Sequence, residues 1–460
     1  MAKSNTKSIK LSPEKDAAVD RISNLPESLL CHILSFLPTK DSIATSILSS
    51  RWKLLWTLVP KLDLESHTID TSPDDDDEDI RIAHIVSRVL AQQECGELQT
   101  FRLQWYLGLD GSHISHLDSW FRTAAARKVK ELDLDILLDD NDFDTESLVL
   151  PPSFFSCRTL VVLKLTGDID IDNFALSFHF PSLKILHLKY ILAMTIINSQ
   201  ENSFLSSLSG CPVLEDLSFT AIYFVGEYRI CVPTLKRLSI REDQMDCEDR
   251  CVYKLEINAP ALEYFNFRGD LRDIKFHEKL DNLVQANVEL SMCEDEHIEF
   301  YREWLLKLFT ALNNVKFLSF VPYGTEWHSI ANIYPSAFQN LVQLEFKVVD
   351  CNWHLLGDLL QKAPNLESLV ISKGYDFIPS NLCWKEPKYE PEYLSSLTSF
   401  YYRGFKGLND EVEFVKYILK EARVLKTATI QVYKGESKES VLEKLLMFPR
   451  RSTTCLLRVE

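Results

Sequence analysis

Apolar residues along this chain keep two different periods. Near the N-terminus Leu29, Leu30, Ile33, Leu34 and Leu37 recur at the spacing of one helix face. Leu25-Pro26-Glu27 opens that helix, because proline fits a first turn and a carboxylate suits the positive helix start; Pro38 stops it. Asp41 caps a second helix with Ile43, Ile47 and Leu48 on one face, and a third turn carries Trp52, Leu55 and Trp56. From Leu98 the period changes. A unit of the form Leu-x-x-Leu-x-Leu, with apolar replacements, begins at residues 98, 129, 160, 183, 214, 235, 262, 341, 366 and 397. Weaker copies begin at 283, 315 and 425.

The copies lie 21 to 32 residues apart, close to the spacing of leucine-rich repeats. In each unit the last two apolar positions point inward on a short strand, and the residues flanking the first of them point out. One repeat cannot bury its own apolar face; a dozen stacked together build one core and one long parallel sheet. Pro212, Pro233, Pro260 and Pro364 end the segments that precede four of the strands. The pattern predicts an α/β solenoid, and the uneven spacing predicts an irregular arc. On its concave face His187, Arg237, Tyr264, Phe317, Val370 and Tyr401 are the expected target contacts. Exposed aromatic residues on such a face are typical interface anchors; the alternative is that convex-side loops or the C-terminal region fold over and bury them.

The forty residues from 20 to 60 hold more apolar and aromatic surface than three short helices can bury among themselves. They are expected to leave an apolar face for another protein; the alternative is an ordinary helical cap on the repeat core. Residues 25–30 (LPESLL), 33–41 (ILSFLPTKD) and 50–56 (SRWKLLW) together resemble an F-box of the plant type. The resemblance implies docking on a Skp-family adaptor and, through it, a cullin-RING ubiquitin ligase. Carried over position by position, the adaptor contacts would be Leu25, Pro26, Leu29, Ile33, Leu34, Leu37, Pro38 and Trp52, some of which could instead face the small core of the motif itself. In the last quarter, Trp384 to Pro387, Tyr402-Arg403-Gly404-Phe405, an amphipathic helix from Glu411 to Arg423, and residues 422–430 resemble the FBD domain, which accompanies F-boxes and leucine-rich repeats in plant proteins.

The expected organisation is a disordered polar tail at 1–19, a three-helix F-box at 20–64 and an acidic linker or loop at 65–80. An irregular leucine-rich-repeat arc at 81–380 follows, closed by an FBD region at 381–460 that continues the array. Helical spacing returns after the linker in Ile82, Ile85, Val86, Val89 and Leu90.

The net charge of −17 argues against a general nucleic-acid binder, which needs a basic face, and against adhesion to anionic membranes. The stretch 74–79 alone supplies six negative charges. Eleven cysteines are scattered without a CxxC pair, and the Cys247/Cys251 pair has no neighbouring histidine, so no metal site is expected. The N-terminal tail lacks an apolar signal segment, and no apolar run approaches the ~20 residues of a membrane span. These features predict a protein of the nucleus, the cytoplasm or both.

Catalytic patterns were sought without success: GxSxG, HExxH, a P-loop and a Gly-rich nucleotide fingerprint do not occur. His113 and His116 near Asp110 and Asp118 read as polar loop residues. The chain is thus expected to be a non-enzymatic substrate-recognition subunit of an SCF-type ligase, without a cofactor, that holds a target protein for ubiquitination. Two other readings stand beside it: a ligand-sensing receptor with a small molecule in the arc, and a scaffold that kept the fold without ligase function. Outward strand positions such as Asp133, Lys164, His187, Ser218, Ser239, Asn266, Ser319, Glu345 and Val370 offer no basic cluster for a polyphosphate.

Overall fold

The computed structural model describes residues 22, 24–65, 78–107, 114–138, 148–167, 169–170, 179–190, 204–221, 226–242, 253–269, 273–291, 298–323, 337–348, 353–373, 384–387 and 392–460. The polar tail, most of the acidic linker, His113, Asp110, Cys247 and Cys251 lie outside them.

Fifteen strands form one parallel sheet in chain order, from Lys61–Glu65 to Leu456–Val459. The register never slips between repeats through the middle of the array. Leu163, Leu186, Leu217, Leu238, Phe265, Ala286, Leu318, Leu344 and Leu369 are successive partners across it. All are buried. A one-residue slip would turn each of these side chains to the opposite face, so one buried face pins the pairing. The weak units at 283, 315 and 425 also form strands: Gln285–Ser291, Phe317–Tyr323 and Thr427–Val432.

The buried face is covered by different elements along its length. Helices Glu78–Gln92, Ile114–Ala126, Ile298–Ala311, Trp353–Gln361, Asn409–Glu421 and Lys438–Leu446 supply part of the cover. In the middle, three further strands form a separate parallel sheet: Gly226–Cys231, Tyr253–Asn258 and Asp273–Phe276. Leu148–Val149 pairs with Ile169–Asp170 in a small third sheet. The repeats differ in length because their covers differ. Gly167 ends its strand at φ +115° opposite Ile136, and a Cβ there would collide with the Ile136 carbonyl oxygen. Only glycine fits that position.

At the N-terminus the described F-box residues contain two α-helices, Glu27–Leu34 and Thr39–Ala44. The expected third helix is replaced by 3₁₀ turns at Thr45–Ile47 and Leu55–Leu58. Leu30, Leu34, Trp52, Leu55 and Val59 form a small core of their own. Trp56 instead joins the main core.

The same stretch then becomes the first rung of the sheet, with Val59, Leu62 and Leu64 in the three apolar positions of the six-residue unit. The Asp63 amide donates to Thr39 Oγ1 at 2.7 Å, and Gln93 Nε2 donates to the Val59 carbonyl. The Glu94 amide donates to the Thr57 carbonyl at 2.8 Å. These bonds tie the helical stretch to the repeats.

At the other end, Ser399–Phe405, Thr427–Val432 and Leu456–Val459 extend the ladder in the same direction. Trp353, Trp384, Phe414 and Tyr417 pack ring against ring between helix and repeat, with centroids 4.7 to 5.8 Å apart. The Glu411 carboxylate is fully buried. It accepts from the amides of Lys406 and Leu408, both at 3.0 Å, and from the Tyr402 hydroxyl at 3.3 Å. Lys373 Nζ lies 3.3 Å away. A buried carboxylate with this many donors is compensated. Removing it would leave two amides and the Tyr402 hydroxyl without this acceptor, and Lys373 with only Asp410 at 3.9 Å.

Two tests follow from this packing. Leu186, Leu217, Leu238 and Leu369 are each 0 % exposed. Changing any one to Ala is expected to lower unfolding free energy by about 2–5 kcal/mol, measured by denaturant titration; unchanged midpoints would refute the register. The second concerns pH. Burial, with Glu411 and Asp410 beside it, pushes the Tyr402 phenol well above its usual range. The folded state thus keeps a proton that the unfolded chain releases near pH ~10, so stability falls as pH rises past that value. Tyr402→Phe should flatten this alkaline loss.

Candidate functional site

Two surfaces stand out, one on the helical stretch and one on the open face of the sheet. On the first, Pro26 is the N-cap of the first helix (φ −54°, ψ 147°) and Pro38 that of the second (φ −55°, ψ 150°). Proline sets the extended entering angle in each case. Within the first helix, Leu30 and Leu34 share the inward stripe at i, i+4. Leu29 and Ile33 share the neighbouring stripe and remain 48 % and 43 % exposed. Phe36 is 72 % exposed, its ring edge-on to His32 at 5.0 Å. Ile47, Leu48 and Leu54 are exposed as well. Exposed aliphatic side chains occur singly on most proteins; here Leu29, Ile33, Ile47, Leu48 and Leu54 lie on one small unit.

The eight positions carried over from the F-box therefore divide. Pro26, Leu29 and Ile33 are exposed, and Leu25, Leu37 and Pro38 are half-buried. Leu34 and Trp52 are buried in the small core with Leu30, Leu55 and Val59, the alternative left open for these positions. Phe36, Ile47, Leu48 and Leu54 were missing from that set. Their signal was the surplus of apolar residues over what a core of this size can hold.

On the sheet, all six expected target contacts occupy outward positions. Arg237, Tyr264 and Phe317 fall in one row, with Gln285 between the last two. Val370 and Tyr401 are direct partners on adjacent strands in the next row. His187 is in that row too, but eight strands from Tyr401, roughly 38 Å at ~4.8 Å per strand. The six do not converge on one site; they form a middle group and a C-terminal pair.

The middle group is held in place by polar contacts. The Arg237 guanidinium lies 4.8 Å from the Tyr264 ring centroid, and its Nε lies 3.5 Å from Asp216. Asp216 also meets His187 Nε2 at 3.3 Å. The Tyr264 hydroxyl accepts from Asn287 Nδ2 at 2.9 Å, and Asn266 Nδ2 donates to Ser239 at 2.8 Å. Phe317 is 39 % exposed with no such tether. Near the C-terminal pair, Arg403 lies 5.4 Å from the Tyr401 ring and bonds Glu345 at 2.7 Å.

Asp118 is engaged by Arg122 at 2.7 Å, which holds its carboxyl below the usual range. Burial pushes the Cys157 and Cys211 thiols up to about 11, so both stay protonated core residues. Among the described residues no group of three or more His, Cys, Asp or Glu is placed to hold a metal ion. No described helix is long and apolar enough to cross a membrane. One groove of about 1030 Å³ lies between Asp273–Phe276 and helix Ile298–Ala311. Its lining includes none of the six outward residues.

Comparison with known proteins assigns these regions to known domains. Residues 22–64 match the F-box domain model and residues 386–430 the FBD model. Residues 117–279 match the model described as FBD-associated F-box protein At5g56370, LRR repeats. The F-box/FBD/LRR-repeat protein At4g26340 of Arabidopsis thaliana is 32 % identical, across 95 % of this chain and 99 % of its own length. From the same plant, the F-box/FBD/LRR-repeat protein At4g00160 is 33 % identical, across 93 % and 89 %. The FBD-associated F-box protein At5g56370 is 30 % identical, across 95 % and 99 %. The chain belongs to the F-box/FBD/LRR-repeat family.

Proposed function

We propose that this chain is the substrate-recognition subunit of an SCF-type cullin-RING ubiquitin ligase. F-box and leucine-rich-repeat proteins generally serve as substrate adaptors, and the F-box generally binds a Skp-family adaptor. The observation that carries the reading is the apolar face of Leu29, Ile33 and Phe36 on a unit whose own core is already filled by Leu30, Leu34, Trp52, Leu55 and Val59. That face is free to dock the adaptor while the repeats stay intact.

In this reading the open face of the sheet holds a target protein, with Tyr264 and Phe317 as anchors. No bond chemistry is assigned to the chain; its contribution is to raise the effective concentration of target lysines near a charged ubiquitin carrier. No cofactor is needed for that role, and it would be carried out in the nucleus or cytoplasm.

Leu29→Glu with Ile33→Glu should abolish co-purification with the adaptor and leave the far-ultraviolet circular dichroism unchanged. Retained co-purification would overturn the docking assignment. Tyr264→Ala with Phe317→Ala should lose the target, captured by proximity labelling with the proteasome inhibited, and keep the adaptor. Loss of both partners, or of neither, would count against a target site at mid-array.

A further inference from the structure

Most strands of the sheet have a third outward position beyond the two that flank the first inward residue, and these positions change the charge of the open face. The outward residues on Val162–Gly167, Ile185–Lys189, Asp216–Ala221, Arg237–Glu242 and Tyr264–Gly269 include five cations, Lys164, Lys189, Arg237, Arg241 and Arg268, against one carboxylate, Asp216. The three strands before them are the reverse. Asp63, Glu65, Glu131, Asp133 and Asp135 face outward there against Lys61 and Arg102. A chain with a net charge of −17 thus gathers positive charge on five successive strands.

Most of these cations are only partly compensated. Lys164 reaches back to Glu131 at 3.2 Å, and Arg237 meets Asp216. Arg268 lies 3.6 Å from Glu289, and its buried Nε has no hydrogen-bond partner. Lys189 lies over the Tyr190 ring at 4.8 Å. Arg241 is exposed and stands directly beside Arg268 in register. Among the described residues neither Lys189 nor Arg241 forms an ion pair. Like charges directly opposite on neighbouring strands destabilise a sheet, and among the described residues only Glu289, beside Arg268, offsets this pair.

We propose that this part of the open face binds an acidic peptide segment of the target. Lys189, Arg241 and Arg268 receive its carboxylates, and Tyr264 and Phe317 receive an adjacent apolar side chain. The proposal rests on the receptor reading above and names the chemistry of what is received. Arg241 and Arg268 are ~4.8 Å apart across the pair, and Lys189 is two strands, ~10 Å, from Arg241. Alternate side chains of an extended peptide are ~7 Å apart, so carboxylates at i, i+2 and i+4 fall within reach of all three. Tyr264 is four residues from Arg268, ~13 Å along the strand. The acidic strands to the N-terminal side repel such a segment, which sets where along the array it lies.

The acidic run at 74–79 of this chain is a poor occupant. Its last two residues, Glu78 and Asp79, belong to the helix Glu78–Gln92. Arg241 is six strands from Lys61–Glu65, roughly 29 Å.

The test uses the full chain co-expressed with its adaptor and a fluorescein-labelled peptide of repeated glutamates around one leucine, with the glutamine version as control. Fluorescence anisotropy should show binding of the glutamate peptide only, weakening as salt rises. Arg241→Glu with Arg268→Glu should weaken it at least about tenfold, while the charge-matched pair Arg158→Glu with Lys426→Glu leaves it unchanged. Arg241→Gln, at an exposed position, should weaken it in the same direction and guards against a folding defect in the double variant. Equal binding of both peptides, equal loss in the control pair, or stronger binding of tripolyphosphate than of the peptide would overturn the proposal. So would tighter peptide binding on neutralising Asp243, Asp246, Glu248 and Asp249, which would assign the cations to the chain's own acidic segment. If Tyr264→Ala with Phe317→Ala loses the cellular target while Arg241→Glu with Arg268→Glu keeps it, the acidic-peptide proposal falls and the receptor reading stands.

Discussion

Every repeat in this protein depends on its neighbours for an interior. A strand such as Ile185–Lys189 has two inward side chains, Leu186 and Leu188, which are buried only because strands lie on both sides and a cover lies behind. The constraint is therefore the register of the parallel ladder, not any single contact. Side-chain size is traded between adjacent rungs. Phe265 stands beside Ala286, and Phe400 beside Ala428. Such pairs keep the interior filled while the repeats vary in sequence. The cover is less constrained, since a helix, a 3₁₀ turn or another strand can each present an apolar face. That freedom is why the spacing is uneven while the ladder is regular.

The same constraint explains why the helical stretch is not loosely tethered. Lys61–Glu65 belongs to the chain segment that ends the F-box and is also the first strand of the sheet. Trp56 leaves the small core and enters the large one. With Asp63 bonded back to Thr39 and Gln93 to Val59, the helical stretch and the open face share one framework. A receptor that works by placing a target near a modifying enzyme benefits from such rigidity, because the gain in effective concentration falls as the linkage loosens. The buried Glu411 and the tryptophan cluster do the equivalent at the other end, fixing helix Asn409–Glu421 onto the strands beside it.

Much of this was readable from the chain alone, and the reasons differ by region. The six-residue unit exposed the strands because alternation in a half-buried strand leaves a strict period, and even the degenerate unit at 425 gave Thr427–Val432. The helix Glu78–Gln92 was visible from Ile82, Val86, Val89 and Leu90, all buried. The first and last strands were not: Val59, Leu62 and Leu64 fit the unit but lie inside the stretch read as helical, and the last strand has Thr454 where the unit has its leading leucine. The separate sheet of Gly226–Cys231, Tyr253–Asn258 and Asp273–Phe276 was also hidden, since a cover strand obeys no repeat spacing. In the F-box, the motif identified the stretch, but helical phase alone decides that Ile33 faces out and Leu34 in. A motif records which positions are apolar, not which of two apolar surfaces they serve.

The charge of the open face shows the same gap between composition and placement. A net charge of −17 is a sum over the whole chain. At physiological ionic strength charges are screened beyond ~8 Å, a distance of about two strands. A segment lying on Arg241 and Arg268 therefore feels those two residues, their strand neighbours and Glu289, and little of the distant carboxylates. Counting two outward residues per strand leaves the face without a basic cluster. Counting the third adds Lys189, Arg241 and Arg268 at once, because those strands are long enough to expose it. Strand length thus decides the local field, and local field rather than total charge selects what the face can hold.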